Sequence, residues 1–237
     1  NRHFFSLEIQ ADDGSNGIPF VHELENEAGG EQVERVFINS MRRAYHATWG
    51  MKNLNSAIAN FTVKLRYIDW DHQEIELFET GEEEVGTSFS QDQFIYRAVF
   101  EQKARGNWTG RFGVWGLFKN YDVVGEEALS PPVEQTALAA FALEEFEFER
   151  IKLQAGARIE TNHYDPQVSF DSTALVTRRF TGASASAGLH ADIWKNGAFV
   201  ASYAHSYRAP ALEELYNYGP HLGNLAFEIG DPQLLAE

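Results

Sequence analysis

Apolar and polar residues alternate along most of this chain with a period of two, the pattern of β-strands that have one apolar face. Segment 60–67 shows it most clearly, with two sets of residues at alternate positions: Phe61, Val63, Leu65 and Tyr67 against Asn60, Thr62, Lys64 and Arg66. The pattern predicts an all-β chain in which the two faces of each strand meet different environments, one apolar and one polar.

The segment 145–160 repeats this alternation on both arms of a predicted hairpin that turns at Arg150. Its second arm has an apolar face and a mainly polar face: Ile151, Leu153, Ala155, Ala157 and Ile159 against Lys152, Gln154, Gly156, Arg158 and Glu160. A soluble β-sandwich would turn the charges to bulk water. A membrane barrel would turn the apolar face to lipid and the charges to a wet lumen.

Long and short connections follow each other regularly along the chain. Long loops are predicted at 11–32, 71–86, 121–135, 162–173 and 209–225, and short turns near 50–55, 103–107, 149–151 and 195–197. This asymmetry is typical of antiparallel up-and-down outer-membrane barrels, which have short periplasmic turns and long extracellular loops. We therefore predict about ten strands of a transmembrane β-barrel segment, forming one partial domain over residues 1–237.

Composition narrows the class of protein further. The 237 residues include no Cys, which excludes disulfide scaffolds and thiolate metal sites. The net charge of −16 argues against nucleic-acid binding. No apolar run reaches the ~18 residues of a membrane helix, and no signal segment opens the chain. Because the chain starts inside one predicted strand and stops at the edge of another, we expect it to be a fragment.

The last thirty residues carry the most specific motif. After a strand ending near Ser206, the chain reads R-x-P, then E-L-Y, then F-E-x-G, through these residues: Arg208, Pro210, Glu214, Leu215, Tyr216, Phe227, Glu228 and Gly230. This segment resembles the barrel signature of TonB-dependent outer-membrane receptors. Further segments resemble the zinc-uptake branch of that family: Asn16–Pro19 with His22, Tyr67–Glu76, Gly86–Phe89, Gly125–Ala128 with Pro131 and Pro132, and Gly219–His221.

The resemblance implies a barrel of roughly 22 strands around a plug domain, with the plug absent from this chain. It implies location in the outer membrane of a Gram-negative bacterium, and coupling to TonB through the missing plug. It also implies uptake of a metal ion, zinc in our interpretation, or of a metal chelate. The motif residues are interpreted as structural: Pro210 ends the strand ladder, and Arg208 and Glu214 are expected to pair inside the lumen.

Histidines and carboxylates recur in the predicted outer loops, and these are the candidate metal ligands: His22, Glu23, His72, Glu74, Glu76, His163 and His221. Imidazole with carboxylate is a ligand set that zinc accepts where thiolates are missing. The spacing His72-x-Glu74-x-Glu76 places the three side chains on one face of an extended strand. The alternative is that these are solvated loop residues.

The acidic loops also predict a partner class. From Asp69 to Asp92 there are nine Asp or Glu and no Lys or Arg. A mouth lined by one sign of charge concentrates counter-ions, which favours a cationic ligand. Solubility, or bridging through divalent ions to lipopolysaccharide, would explain the same charge.

No nucleophile elbow, P-loop or dinucleotide-binding fingerprint is present, so no enzyme and no resident cofactor are predicted, the metal being cargo. Three alternatives remain at this point. The first keeps the receptor and changes the cargo to a ferric siderophore or haem. The second is a soluble β-sandwich binding module. The third is a passive porin, which the tail motif disfavours.

Overall fold

The structure, a computed structural model, describes residues 2–18, 33–125, 128–167, 175–221 and 226–237. Its main sheet has nine strands: β1 (His3–Ile18), β2 (Val33–Lys52), β3 (Ile58–Phe78), β4 (Glu83–Gln102), β5 (Trp108–Gly125), β6 (Val133–Glu147), β7 (Ile151–Pro166), β8 (Arg178–Trp194) and β9 (Gly197–His205). Next come the short helix α1 (Leu212–Tyr216) and two short strands, β10 (Tyr218–His221) and β11 (Ala226–Ile229). Of the helical residues described, none belongs to a helix that is long and apolar enough to cross a membrane.

The main sheet is an antiparallel meander, because the order of its strands is the order of the chain from β1 to β9. From β1 to β8 each strand pairs with the next over most of its length, as in the register of Tyr67 with Phe94 and of Leu65 with Tyr96. β8 pairs with β9 only from Ala185 onward. The sheet is open, and β1 and β9 are its edges. The prediction of an up-and-down barrel segment is confirmed, with nine strands in the wall. The strand predicted at Phe227 is β11, which pairs with β10 instead of extending the wall.

The two faces of the sheet differ in polarity, as the alternation predicted. On the outer face of β7, Ile151, Leu153 and Ile159 are 42%, 42% and 56% exposed. On the inner face Arg158 pairs with Glu160. Neighbouring strands continue the exposed apolar face, with these residues among its members: Leu7, Ile9, Tyr45, Leu65, Tyr67, Phe94, Phe112, Val114, Phe118, Leu138, Phe199 and Tyr203.

This outer belt excludes the soluble β-sandwich. A sandwich would bury its apolar face against a second sheet. Among the described residues the second sheet consists of the four-residue strands β10 and β11, and it leaves the belt uncovered. A wide exposed apolar surface around a polar inner face is the arrangement of a membrane barrel wall.

Parts of two predicted loops are strand in the structure. β1 does not end at Asp12-Asp13-Gly14 but continues to Ile18. Salt bridges explain why these acids are tolerated in a strand: Arg42 Nη1 lies 3.3 Å from Asp12 Oδ2, and Arg43 Nη1 lies 2.9 Å from Asp13 Oδ1. The run of acidic residues led to the prediction of a loop, whereas the structure has a strand in which these acids pair with arginines of β2.

The predicted loop 71–86 is likewise mostly strand. β3 continues to Phe78 and β4 begins at Glu83, so the chain reverses over 79–82. Gly81 has φ +83°, a left-handed conformation that glycine adopts at little cost, and its N–H donates to the Phe78 carbonyl at 2.8 Å. The β3–β4 hairpin therefore extends well past the apolar belt at the end of the sheet with the long connections. We call this part the β3–β4 extension, residues 69–92.

A buried cluster of the described residues lies where the end of the chain packs on the inner face. Val133, Tyr164 and Phe180 of the wall contact Leu212, Leu215 and Tyr216 of α1. Leu215 is fully buried. Residues 207–221 and 226–237, which we call the tail segment, follow the last wall strand, and α1 within them packs back onto the inner wall.

The outer belt generates a first prediction. Leu65→Arg, in the middle of the belt on β3, is expected to lower the free energy of unfolding of the full-length barrel by about 2–4 kcal/mol, because a cation there would face hydrocarbon. Denaturant unfolding in lipid vesicles measures it.

Thr62→Arg is the control, since that position lies on the inner face of the same strand. It is expected to cost clearly less. Equal losses from the two substitutions would mean that the face carrying Leu65 does not meet lipid.

Candidate functional site

Histidine 72 stands on the inner face of the β3–β4 extension between two aromatic rings. Its imidazole lies 4.6 Å from the Trp70 ring and 4.3 Å from the Phe89 ring, centroid to centroid. Phe89 is its cross-strand partner in β4. His72 Nε2 lies 3.9 Å from Glu74 Oε1, two residues along the same face. The predicted same-face arrangement of these two side chains is present.

Two polar atoms near this pair are buried without a hydrogen-bond partner in the described structure: His72 Nε2 and Thr87 Oγ1. Thr87 is 1% exposed, and its register partner in β3 is Glu74. On β5, Gly125 approaches so closely that a Cβ there would lie 2.9 Å from Thr87 Oγ1. Buried polar atoms are nearly always hydrogen-bonded, so two unpaired polar atoms beside a carboxylate indicate a candidate ligand-binding site.

The other predicted metal ligands do not join this pair. Glu76 shares the inner face, but its carboxylate lies over Gly86, where a Cβ would be 2.6 Å from Glu76 Oε1. His163 lies on the opposite face of β7 from the buried Tyr164, and it pairs in register with Thr136. No three His, Asp or Glu side chains among the described residues are grouped to hold a metal ion.

Three predicted ligands fall outside the described part of the chain: His22, Glu23 and the side chain of His221. The arrangement that the structure presents is therefore a partial donor set. It consists of one imidazole nitrogen, one carboxylate and one hydroxyl.

A second group of inner-face residues joins guanidinium to aromatic rings across strands β4 to β7. The Arg97 guanidinium lies 4.9 Å from the Phe141 ring centroid, and that of Arg158 lies 5.2 Å from Trp115. Gly113, the register partner of Phe141, makes room for this ring, since a Cβ there would lie 2.8 Å from Phe141 Cζ. This part of the wall offers both positive charge and flat apolar surfaces.

The tail segment is closed by an arginine that joins its two ends. Arg208 Nη1 lies 3.0 Å from Glu214 Oε2, and Arg208 Nη2 lies 3.1 Å from Glu237 Oε1. The Arg208 backbone N–H donates to the Glu237 carbonyl at 2.8 Å, and the Glu237 N–H donates back at 2.9 Å. Glu214 also accepts the Ala211 N–H at 2.7 Å, which satisfies a donor at the start of α1.

Buried polar contacts then fix the tail segment to the wall. Ser130 Oγ donates to Asn217 Oδ1, and Asn217 Nδ2 donates to Glu228 Oε2 at 2.6 Å. The Tyr164 hydroxyl donates to the Pro210 carbonyl at 2.9 Å.

The remaining motif residues complete the docking of the tail segment. The Tyr216 hydroxyl donates to the Val176 carbonyl at 2.9 Å. At Gly230 a Cβ would lie 2.7 Å from the Tyr216 nitrogen, so only glycine fits there. Phe227 is exposed and stacks edge-on against Tyr218.

A polar inner wall, an apolar outer belt and an inwardly docked segment define this chain as part of an up-and-down membrane β-barrel. The family model described as "TonB dependent receptor-like, beta-barrel" matches residues 9–237. The chain belongs to this family. Its members are outer-membrane transport receptors, not enzymes, which agrees with the prediction that the chain has no enzymatic site.

Among solved structures, the fold is similar to that of a chain described as "Copper transporter OprC", with a TM-score of 0.62 and 13% sequence identity. The similarity covers 77% of this chain and 35% of that one, so this chain spans about a third of the transporter's length. No curated protein matches the sequence. At this identity the likeness concerns the fold.

The motif's ionic contacts generate a second prediction. The Arg208 guanidinium, followed by the Ala211 N–H, lowers the pKa of Glu214 below its ordinary 4.5. A carboxyl with a lowered pKa stabilises the docked tail segment above pH 4.5, and this contribution is lost as the pH falls through the lowered value. The protection factor of the peptide 208–216 in the full-length receptor, which is its exchange rate relative to the intrinsic rate at the same pH, is therefore expected to fall below pH 4.5.

Glu214→Gln tests the assignment. It is expected to exchange faster than the wild type at pH 7 and to lose most of the acid dependence. An unchanged acid transition in this variant would assign the titration to another group.

Proposed function

We propose that this chain is part of the barrel wall of an outer-membrane active-transport receptor that takes up a metal ion, zinc in the first instance, or a metal chelate. Family membership and the barrel fold support the transport class. The observation that carries the metal cargo is the orphaned pair His72 Nε2 and Thr87 Oγ1 beside Glu74.

The donor chemistry supports a transition metal. Zinc is bound by neutral imidazole and by carboxylate oxygen, and a hydroxyl or water completes its sphere in open sites. A partial set is what a transport receptor requires, since the cargo must leave again. We propose that other segments of the full receptor complete the coordination, with His22, Glu23 and His221 as candidates.

Charge at the same end of the barrel supports capture of a cation. The β3–β4 extension has nine acidic residues and no Lys or Arg between Asp69 and Asp92. Burial raises the pKa of Asp69, and the neighbouring carboxylates of Asp71 and Asp92 raise it further. A field of one sign at the mouth raises the local concentration of divalent cations.

Copper is the nearest competitor of zinc for this site. The solved structure of similar fold is described as a copper transporter, and an imidazole–carboxylate site binds Cu²⁺ more tightly than Zn²⁺ by the general order of metal affinities. The binding experiment therefore includes both ions.

A second cargo, a ferric siderophore or haem, is favoured by one observation. Arg97 on Phe141 and Arg158 on Trp115 present guanidinium and ring faces on the inner wall. Such a surface suits a flat, anionic chelate better than a bare cation.

We further propose that residues 1–237 are one partial barrel domain in the outer membrane of a Gram-negative bacterium, without a resident cofactor. TonB would act through a plug domain outside this chain. The proposed partners are the transported ligand and the surrounding lipid and lipopolysaccharide, with no nucleic acid.

Calorimetric titration of the full-length receptor with Zn²⁺ and Cu²⁺ tests the metal site. The double substitution His72→Ala with Glu74→Gln is expected to weaken Zn²⁺ binding about tenfold or more, because it removes the nitrogen donor and the carboxylate charge. Thr87→Val, which keeps the shape but removes the hydroxyl, is expected to give a smaller loss.

The matched control is His190→Ala with Asp192→Asn. His190 Nε2 lies 3.8 Å from Asp192 Oδ1, almost the same pair geometry, but at the short-turn end of β8. This control is expected to leave Zn²⁺ affinity unchanged. Tight binding of a ferric chelate with no Zn²⁺ or Cu²⁺ binding at micromolar concentration would overturn the metal-ion proposal in favour of the second cargo.

A further inference from the structure

A groove of about 390 Å³ lies on the outer face of the β3–β4 extension, behind the His72 site. Most of its lining comes from outward positions of four adjacent strands, β2 to β5, and Ser40, His72 and Phe89 between them also line it. The outward polar side chains are Asn39, Asp71, Gln73, Ser88, Ser90 and Asp122. Met41 and Val124 add apolar surface, and both are exposed. The groove therefore adjoins the proposed metal site through His72, while its outward side chains are separate from Glu74 and Thr87 on the inner face.

The position of this groove relative to lipid follows from the strand register. The outward residues of the apolar belt end on β3 at Tyr67, and Asp71 and Gln73 lie four and six residues further along. At ~3.3 Å per residue this is roughly 13 to 20 Å along the strand, and about 10 to 15 Å above the belt once strand tilt is included. The groove is continuous with the lipid-facing surface and lies at the end with the long connections.

Whatever covers this surface in the membrane is the head-group layer of the outer leaflet, which in outer membranes is a glycolipid. We infer that the groove binds sugar rings of the lipopolysaccharide core. Amide, hydroxyl and carboxylate groups are the donors and acceptors that hydrogen-bond neighbouring sugar hydroxyls. Exposed apolar atoms such as those of Met41 contact the C–H face of a ring.

The charge of the groove favours binding of the core sugars over binding of the phosphate groups of lipid A in the same glycolipid. Asp71 and Asp122 would repel the phosphates of lipid A, and the groove has no Lys or Arg among its lining residues. Within the described part of the chain, the hydrogen bond between lining side chains is that from Gln73 Nε2 to Ser88 Oγ at 3.4 Å, a long one. The polar groups are thus placed to exchange water for ligand hydroxyls.

The test uses the full-length receptor titrated with rough lipopolysaccharide that retains its core sugars, and separately with lipid A lacking them, with native mass spectrometry as the readout. Asn39→Ala with Gln73→Ala is expected to lower affinity for the core-bearing form about tenfold, the effect of losing two hydrogen bonds. Affinity for lipid A is expected to stay unchanged. Chelation of divalent cations is expected to leave the core-sugar preference in place.

Thr136→Ala is the control, because that side chain is exposed on the outer face of β6 outside the groove. It is expected to bind as the wild type does. Equal affinity for the two glycolipids would overturn the inference. So would a preference that chelation abolishes, which would mean that divalent cations bridge the aspartates to phosphate. Zn²⁺ binding by the groove variant reports separately on the inner face, so the two proposals can fail independently.

Discussion

The structure depends on the requirement that every backbone polar group at membrane depth be paired within the sheet. A meander of long strands meets this requirement between neighbouring strands, everywhere except at the edges β1 and β9 of the sheet. The side chains are then free to face lipid on one side and water on the other. Because side chains alternate, a shift of one residue in register would send Lys64 into lipid and Leu65 into the lumen. The alternation of apolar and polar residues in β3 therefore fixes the strand register as well as the polarity of the two faces.

The same constraint explains why the tail segment folds inward. The prediction that Pro210 ends the ladder is wrong, because β9 already ends at His205. The residues that follow cannot lie against lipid with unpaired backbone, and the inner wall is the polar surface within reach. Arg208 then joins Glu214 to Glu237 and closes the segment as a compact unit. Its apolar residues pack against Tyr164 and Phe180, so the buried cluster of this chain lies at the lumenal wall and not between two sheets.

Sequence alone was enough for the fold class and for the faces of the strands, because period-two alternation is a direct consequence of pleating. Strand ends were less predictable. Acidic residues at Asp12 and Asp71 suggested loops, yet strand pairing continues through both, since a β-ladder is made by backbone groups and tolerates charge that meets a partner or water.

The candidate site was half predictable for the same reason. The His72-x-Glu74 spacing follows from one strand, whereas Thr87 enters only through the register between β3 and β4, which depends on the bulge near Glu74. A threonine in a return strand has no sequence signal of its own. The contact between Arg97 and Phe141 could not be predicted from the sequence either. These residues lie two strands apart and meet across the space that Gly113 leaves.

The metal site and the sugar-binding groove that we propose would both lie on one hairpin, the β3–β4 extension. Odd and even positions of β3 belong to opposite faces, so Asp71 and Gln73 change independently of His72 and Glu74. The wall of the extension is one strand layer thick, with no packed core between its faces to couple them. A transport receptor can therefore change its outward side chains, which face the membrane surface, while its lumenal side chains stay the same. The reason is that successive side chains of a pleated strand point to opposite faces.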